Sequence, residues 1–339
     1  MTQTKHQRTV FVTGGAGYVG SHCCKAFSGA GWNVIVYDNL SRGWRDFVKW
    51  GTLIEGDILD REKLFTCIES TKPDAVAHFA AFAYVGESVE RPDTYYRNNV
   101  TGSINLLDAM NAASVDKMIF SSTCATYGNP QYLPMDEAHP QLPINPYGRS
   151  KLMVEQVIKD YCTAFGLRSV ALRYFNAAGG DPDCEIGERH EPETHLIPLA
   201  LRGAGDSNYT LRILGNDYDT HDGSPVRDYI HVVDLADAHL RSLEYLANGG
   251  ESSELNLGTG SGSSVFQIKN SVESVTGLSV NSKIAPKRAG DPAILVAAPK
   301  KAKAVLGWEP MHSSIEEIVV DAWKWYQKSS QRGSSHEDL

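Results

Sequence analysis

No apolar run reaches the ~18 residues that a membrane-spanning helix needs, although the chain has 339 residues. The first residues, "MTQTKHQR", are polar and carry no apolar core of the kind a secretory signal requires, so no export is expected and a cytoplasmic location is. Cysteine is sparse. Cys23, Cys24, Cys67, Cys124, Cys162 and Cys184 show no CxxC or other metal spacing, so no metal is expected, and free thiols in a reducing compartment are the natural reading. Basic residues are outnumbered, 32 Lys and Arg against 41 Asp and Glu, for a net charge of −9. That balance argues against nucleic acid or an anionic membrane as a main partner, while leaving room for a local basic pocket that takes a phosphorylated small molecule. There is no internal repeat and no low-complexity block.

What is present is an alternation. "TVFVT", "NVIVYD", "TLIEGD", "DAVAHFA", "KMIFSS" and "SVALRYFN" read as strands. "YVGSHCCKAFSGA", "REKLFTCIES", "DTYYRNNVTGSINLLDAMNAA" and "PYGRSKLMVEQVIKDYCTAFG" read as helices between them. Alternation of this kind predicts an α/β fold with a parallel sheet covered by helices on both faces. We place this first domain at 9–176 and a smaller mixed α/β lobe at 177–330, with a segment around 228–248 returning to the first domain. "AAGGDPDCEIGERHEPETH" is a long polar loop, and such loops in compact domains are usually functional or mobile. Frayed ends are expected before Thr9 and after about Gln331. "EEIVVDAWKWYQK" reads as a packing helix.

Gly14, Gly17 and Gly20 form GxxGxxG between the first strand and helix, where bare backbone N–H groups can approach a pyrophosphate at a helix N-terminus. The second strand ends in Asp38, placed to accept hydrogen bonds from adenosine ribose hydroxyls and to repel a 2′-phosphate. This favours NAD, although Arg42 and Arg45 nearby are the residues NADP would use; alternatively Asp38 merely opens the turn "DNLSRG". Asp57, at the end of the third strand, could reach the adenine amino group or cap the following helix. Of the 15 tyrosines, Tyr147 alone has a lysine four residues on, Lys151, which puts both side chains on one helix face. Chance composition gives roughly one such pair in a chain like this, so the context has to decide.

The glycine turn followed about 130 residues later by Tyr-x-x-x-Lys resembles the extended short-chain dehydrogenase/reductases, which carry a Rossmann-like doubly wound sheet. More narrowly, "VTGGAGYVGSH", "HFAA", "VGES", "FSSTCATYG", "NPYGRSK", "RYFNAAG", "VRDYIHVVDLADAH" and "NLGTG" resemble UDP-glucose 4-epimerases, and "HFAAFAYVGES" and "SSTCATYG" are also similar to UDP-arabinose/UDP-xylose 4-epimerases. The resemblance covers about residues 9–328. It implies that Tyr147 is the base for the sugar 4-hydroxyl, that Lys151 holds the nicotinamide ribose and, together with the positive nicotinamide ring, lowers the phenol pKa towards neutrality, and that Thr123 hydrogen-bonds the same sugar oxygen. Hydride would pass from C4 to NAD and return to the other face, with no net redox. Besides the glycines, Tyr147 and Lys151, the implied NAD contacts are Tyr18, Val19, Asp38, Asn39, Asp57, Ile58, Phe79, Ala80, Ala81, Asn98 and Phe175. Those to the UDP-sugar are Asn176, Leu196, Arg227, Arg288 and Asp291, with Thr123 and Tyr147. The arginines suit a diphosphate, or else form ordinary surface ion pairs. A homodimer through the helices around 93–113 and 146–165 is the family's common mode.

Departures from the pattern are Ala83 where some relatives carry lysine, Leu214 where an aromatic packs on uracil, Leu295 where tyrosine can exclude N-acetylated sugars, and His195 for a frequent asparagine. Rival readings are a nucleotide-sugar dehydratase or decarboxylase and a non-catalytic NAD-binding protein. A dehydratase needs titratable groups after the threonine, and Cys124 and Ala125 stand there.

Overall fold

In the computed structural model, residues 7–288 and 291–334 are described, and the expected frayed ends fall largely outside them. Seven parallel strands form the main sheet, in the order Ser253–Leu257, β6 (Arg168–Tyr174), β5 (Lys117–Thr123), β4 (Ala75–His78), β1 (Thr9–Thr13), β2 (Asn33–Asp38), β3 (Thr52–Glu55). Val10 sits opposite Val34 of β2 and Ala75 of β4. Strand order therefore reverses at β1, and the crevice beyond the carboxyl ends of β1 and β4 is where such a sheet takes a ligand.

The period of two along β1 divides the core. Val10 and Val12 join a cluster with Val34, Val36, Ile119, Phe27 of helix α1 (Tyr18–Gly29), and Leu235 and Leu243. Phe11 faces the other way, among Tyr37, Val76, Leu64 and Ile68 of α2 (Arg61–Thr71), Leu107 and Val154. Burying both faces is what the near-continuous apolar strands require.

The chain after 177 does not form one contiguous lobe. Tyr229–His231 pairs with Asn176–Ala178, the helix Val232–Ala247 lays Leu235 and Leu243 on the main sheet, and Ser253–Leu257 is that sheet's outermost strand beside β6. The smaller lobe has its own core, with Ile197, Leu201, Ile213, Ile268, Val272, Ile318 and Val319. The C-terminal helix Ile315–Ser334 packs there.

One expected helix is not regular. "DTYYRNNVTGSINLLDAMNAA" becomes a short turn Pro92–Tyr95, a π-helical stretch Tyr96–Thr101 and an α-helix Gly102–Ala112. The widened turn buries Asn98 and Asn99, and Asn99 bonds the backbone of Phe82 (2.8 and 3.0 Å) and Ser150 Oγ (3.0 Å). Apolar periodicity carries no sign of such a bulge, which is set by two inward amides.

Candidate active site

A cleft at the switch point is lined by Gly14, Gly17, Asp38, Asn39, Ile58, Phe79, Ala80, Ala81 and Asn98, so nine of the expected NAD residues share one surface. Gly14 has φ +75° and lies so close to β4 that a Cβ would stand 2.5 Å from Ala80 N. Gly17 differs: a Cβ there would meet only Gly14 O, at 3.4 Å. The fold itself does not demand glycine at that position. Helix α1 starts there with no side-chain cap and no acid in its first turn, which leaves its N–H groups and dipole for an anion. Gly20 serves packing, since its Cβ would fall 2.2 Å from Gly14 O.

Asp38 opens the turn, as one of its two expected roles requires, and also braces the glycine loop. Its Oδ1 accepts from Leu40 N (2.8 Å), opening the turn, and its Oδ2 accepts from Ala16 N (3.0 Å), fixing the glycine loop. Burial raises its pKa, and those two N–H groups oppose the rise. A carboxylate accepts about four hydrogen bonds, so capacity remains for ribose hydroxyls. Arg42 pairs instead with Glu87 (2.6 Å), its guanidinium over the Tyr84 ring, and Arg45 pairs with Glu55. Neither arginine is committed to a 2′-phosphate, which supports NAD over NADP. Asp57 is not the cap of α2; Asp60 is, accepting from Lys63 N. Asp57 accepts from Leu59 N (2.8 Å) and from Asn39 Nδ2 (2.9 Å) at the cleft edge.

Three expected cofactor residues act otherwise than through an exposed side chain. The Tyr18 hydroxyl donates to Gly179 O (2.7 Å), so what Tyr18 can offer a ligand is its backbone in the first turn of α1. Val19 packs against the core, and Phe175 is buried with Tyr127, Met135 and Ala297.

The helix Pro146–Phe165 begins cleanly because Asn145 accepts from Gly148 N (2.8 Å) and Pro146 sits in the first turn. Gly148 is a residue that sequence reasoning missed. A Cβ on it would lie 2.3 Å from Ala125 O, so glycine lets the helix start against the turn after β5. That approach brings Tyr147 to Thr123, whose hydroxyl favours the phenolate. Thr123 Oγ1 also accepts from Ala125 N (3.1 Å), which leaves its own hydrogen free to donate.

In the protein without cofactor, burial pushes the Tyr147 phenol well above its ordinary value and Tyr174 adds to the rise, so the expected fall depends on the positive nicotinamide ring as well as on Lys151. Lys151 is itself nearly inaccessible, at 4% exposure, and burial lowers its pKa to about 7, with Glu155 opposing. Its ammonium donates to Ser121 O (2.7 Å) and lies 4.8 Å from the Phe120 ring centroid. Below it Glu155 forms a buried bidentate pair with Arg173 (3.0 and 2.6 Å) and accepts from Ser122 Oγ (2.5 Å). Tyr147, Lys151 and Glu155 follow at four-residue intervals, a signal the sequence carried and the reading did not use.

On the far side, Arg227 is held by Asp291 (2.6 Å) and by Val226 O (2.7 Å), while Arg288 is exposed. Tyr218, also missed, lies close enough to Asp291, Arg227 and Arg288 to feel their charges. Asn176 joins β6 to the strand Tyr229–His231, its N–H donating to Asp228 O (3.0 Å). Leu196 opens the helix Leu196–Gly205, Leu214 is half-buried beside Ala285, and Leu295 lies in register with Arg227. Burial disfavours a charge on His195, but the neighbouring Glu188 and Glu193 carboxylates more than offset that and raise its pKa to about 10. Burial pushes the Cys124 thiol up to about 12, so it supplies neither acid nor base near neutrality.

A doubly wound sheet with a glycine turn and the acid Asp38 at its switch point, and with threonine, tyrosine and lysine at the end of β5 and the start of the helix Pro146–Phe165, has the architecture of a dinucleotide-dependent α/β enzyme. Residues 10–258 match the NAD dependent epimerase/dehydratase family, and the chain belongs to it. It is 52% identical to a UDP-glucose 4-epimerase of Rhizobium meliloti over 96% of this chain and 98% of the relative. Among solved structures, a UDP-glucose 4-epimerase from Brucella ovis in complex with NAD superposes with a TM-score of 0.92 at 50% identity, over 94% of this chain and 98% of the other. One from Stenotrophomonas maltophila, with NAD and formylated UDP-arabinopyranose bound, gives 0.93 at 38% identity, over 96% and 100%.

Proposed function

We propose that this protein interconverts UDP-glucose and UDP-galactose by inverting C4 of the hexose. The observation that carries this reading is the juxtaposition of Thr123 and Tyr147 beyond β5, with a cleft suited to NAD in the same molecule and with Ala125 and the poorly ionising Cys124, rather than acidic residues, after the threonine. NAD, when bound, supplies a reversible hydride acceptor and a positive ring charge. Tyr147 takes the proton of the 4-hydroxyl as C4 is oxidised, and gives it back to the 4-keto oxygen after the sugar has presented its other face. Thr123 donates to that oxygen and holds it in place for both half-reactions. Lys151, anchored on Ser121 O, positions the nicotinamide ribose and supports the phenolate once its charge is balanced. Gly17, Tyr18 and Val19 offer the helix terminus to the pyrophosphate, Asp38 and Asn39 serve the ribose, and Asp57 and Ile58 border the adenine. Arg227 and Arg288 take the diphosphate, and Asp291 the uridine side, with Asn176 and Leu196 closing the sugar end.

The test is epimer formation from UDP-glucose, UDP-galactose, UDP-xylose, UDP-arabinose and UDP-N-acetylglucosamine, read by chromatography. Turnover of the hexoses supports the reading. Turnover of pentoses alone replaces it with a UDP-xylose/UDP-arabinose 4-epimerase of the same mechanism. We further propose a cytoplasmic role in galactose metabolism and a homodimer formed by the helices 102–112 and 146–165, whose outer side leaves Met153 and Phe165 exposed. No described helix is long and apolar enough to cross a membrane. A monomeric sedimentation coefficient at micromolar concentration counts against the dimer.

A further inference from the structure

The polar loop 177–195 is anchored from three sides. Trp325 Nε1 donates to Glu188 O (2.9 Å), Trp44 Nε1 to Arg189 O (3.0 Å) and Arg42 to Glu191 O (3.2 Å). So held, the loop turns one donor atom from each of Glu188, His190, Glu193 and His195 inward, all within 4.8 Å of one another. His195 Nδ1 stands 3.0 Å from a Glu188 oxygen and 2.8 Å from a Glu193 oxygen. His190 Nδ1 stands 3.4 and 3.5 Å from oxygens of the same two carboxylates. It is a buried atom with no hydrogen-bond partner among the described residues. The Glu188 side chain is only 6% exposed. Glu193 is oriented by the N–H groups of Thr194 and His195, at 2.7 and 2.8 Å.

We propose that these four side chains bind one divalent transition-metal cation of the Zn²⁺ class. Bonds of about 2.0–2.2 Å in a tetrahedron separate ligand atoms by about 3.4 Å; the four His–Glu separations are 2.8–3.5 Å and the whole set lies within 4.8 Å, so side-chain adjustments of about an ångström would complete the tetrahedron. Two imidazole nitrogens select a borderline metal over Mg²⁺ or Ca²⁺, and the two carboxylates neutralise it. Four protein ligands close the coordination sphere, which makes the site structural. Its chemistry is independent of the epimerase reading. The metal would lock the loop to the start of the helix Leu196–Gly205, while Tyr18 and Tyr84 pack their rings against the imidazoles, with centroids 6.0 to 6.4 Å apart. A neighbouring acidic group, Asp181, Asp183 and Glu185, supports no such proposal, because the Lys25 ammonium already fills it at 2.8, 2.8 and 2.9 Å.

Elemental analysis of the purified full-length protein, as isolated and after chelator treatment followed by Zn²⁺, tests this. About one Zn²⁺ per chain is expected, and Co²⁺ in its place should give the intense visible bands of a four-coordinate ion. Glu188→Gln and His190→Ala should each lower metal content to less than about a tenth, and Asp181→Asn should leave it intact. Failure of the wild type to take up stoichiometric Zn²⁺ at micromolar concentration, a Co²⁺ spectrum without those bands, or full retention in both ligand variants overturns the proposal.

Discussion

The two halves of the site are built differently. On the cofactor side most residues come from the carboxyl ends of the adjacent strands β4, β1, β2 and β3 and from one helix terminus, with Asn98 added from the π turn, and key side chains already have partners: Asp38 with Ala16 and Leu40, Asn39 with Asp57. On the sugar side Asn176, Leu196, Arg227, Arg288 and Asp291 come from separate short elements and loops, and the main cation is spent on an internal carboxylate. One half is preorganised. On the proposed reading the other exchanges the Arg227–Asp291 pair for a substrate diphosphate, which would couple binding to rearrangement.

The sharpest break in this comparison lies where the halves meet. Tyr147→Phe should lower kcat by about 10³-fold, the range for loss of a positioned acid–base group, while bound NAD stays unchanged. Equal loss of NAD would mean that the phenol serves the cofactor half. Lys151→Met should lower kcat by roughly 10²-fold and raise stability. Burial holds Lys151 at about 7, below its ordinary value, so the unfolded chain binds more protons as pH rises from that value towards about 10. The destabilisation by the buried amine is therefore full below pH 7 and fades towards pH 10. Removing it should stabilise the NAD-free protein by roughly 2–4 kcal/mol at pH 6 and by little near pH 10. Denaturant melts at the two pH values check this, and a gain that does not shrink with pH refutes it.

The same contrast explains what could be read beforehand. GxxGxxG, Asp38 and Tyr147-x-x-x-Lys151 are legible because strand–turn–helix geometry converts short spacings directly into places in space. The π turn at Tyr96–Thr101 was not legible, since it depends on Asn99 finding Phe82 and Ser150 from distant segments. Gly148 was missed for a related reason: its need for no side chain comes from Ala125, which the fold rather than the local sequence brings near. Spacing reports the lysine near Tyr147 but is silent on burial, which in the cofactor-free protein raises the phenol and lowers Lys151. Resemblance pointed to Arg227 and Arg288 for the diphosphate, but the pairing of Arg227 with Asp291 is a tertiary fact.

Arg227→Ala probes the exchange half. KM for the UDP-sugar should rise roughly tenfold to a hundredfold with kcat changed much less, because a charge-assisted contact to the diphosphate is made before and during reaction alike. Asp291→Asn releases the guanidinium without removing it, so its effect on KM should be the smaller of the two. A larger effect in Asp291→Asn would show that the pair's role is to hold the loop rather than to be exchanged.

The gentlest change tests preorganisation itself. Gly17→Ala adds one methyl where the only neighbour is Gly14 O at 3.4 Å, so folding should shift by less than about 0.5 kcal/mol. That methyl sits over the open N-terminus of α1, where a pyrophosphate has to approach the backbone. The variant should therefore melt like the wild type without cofactor and retain several-fold less NAD on purification. Gly20→Ala supplies the opposite case, because its methyl would fall 2.2 Å from Gly14 O and must disturb the turn even in the cofactor-free protein. If Gly17→Ala lost stability as Gly20→Ala does, the glycine at 17 would belong to the fold. A loss confined to NAD retention assigns it to the ligand.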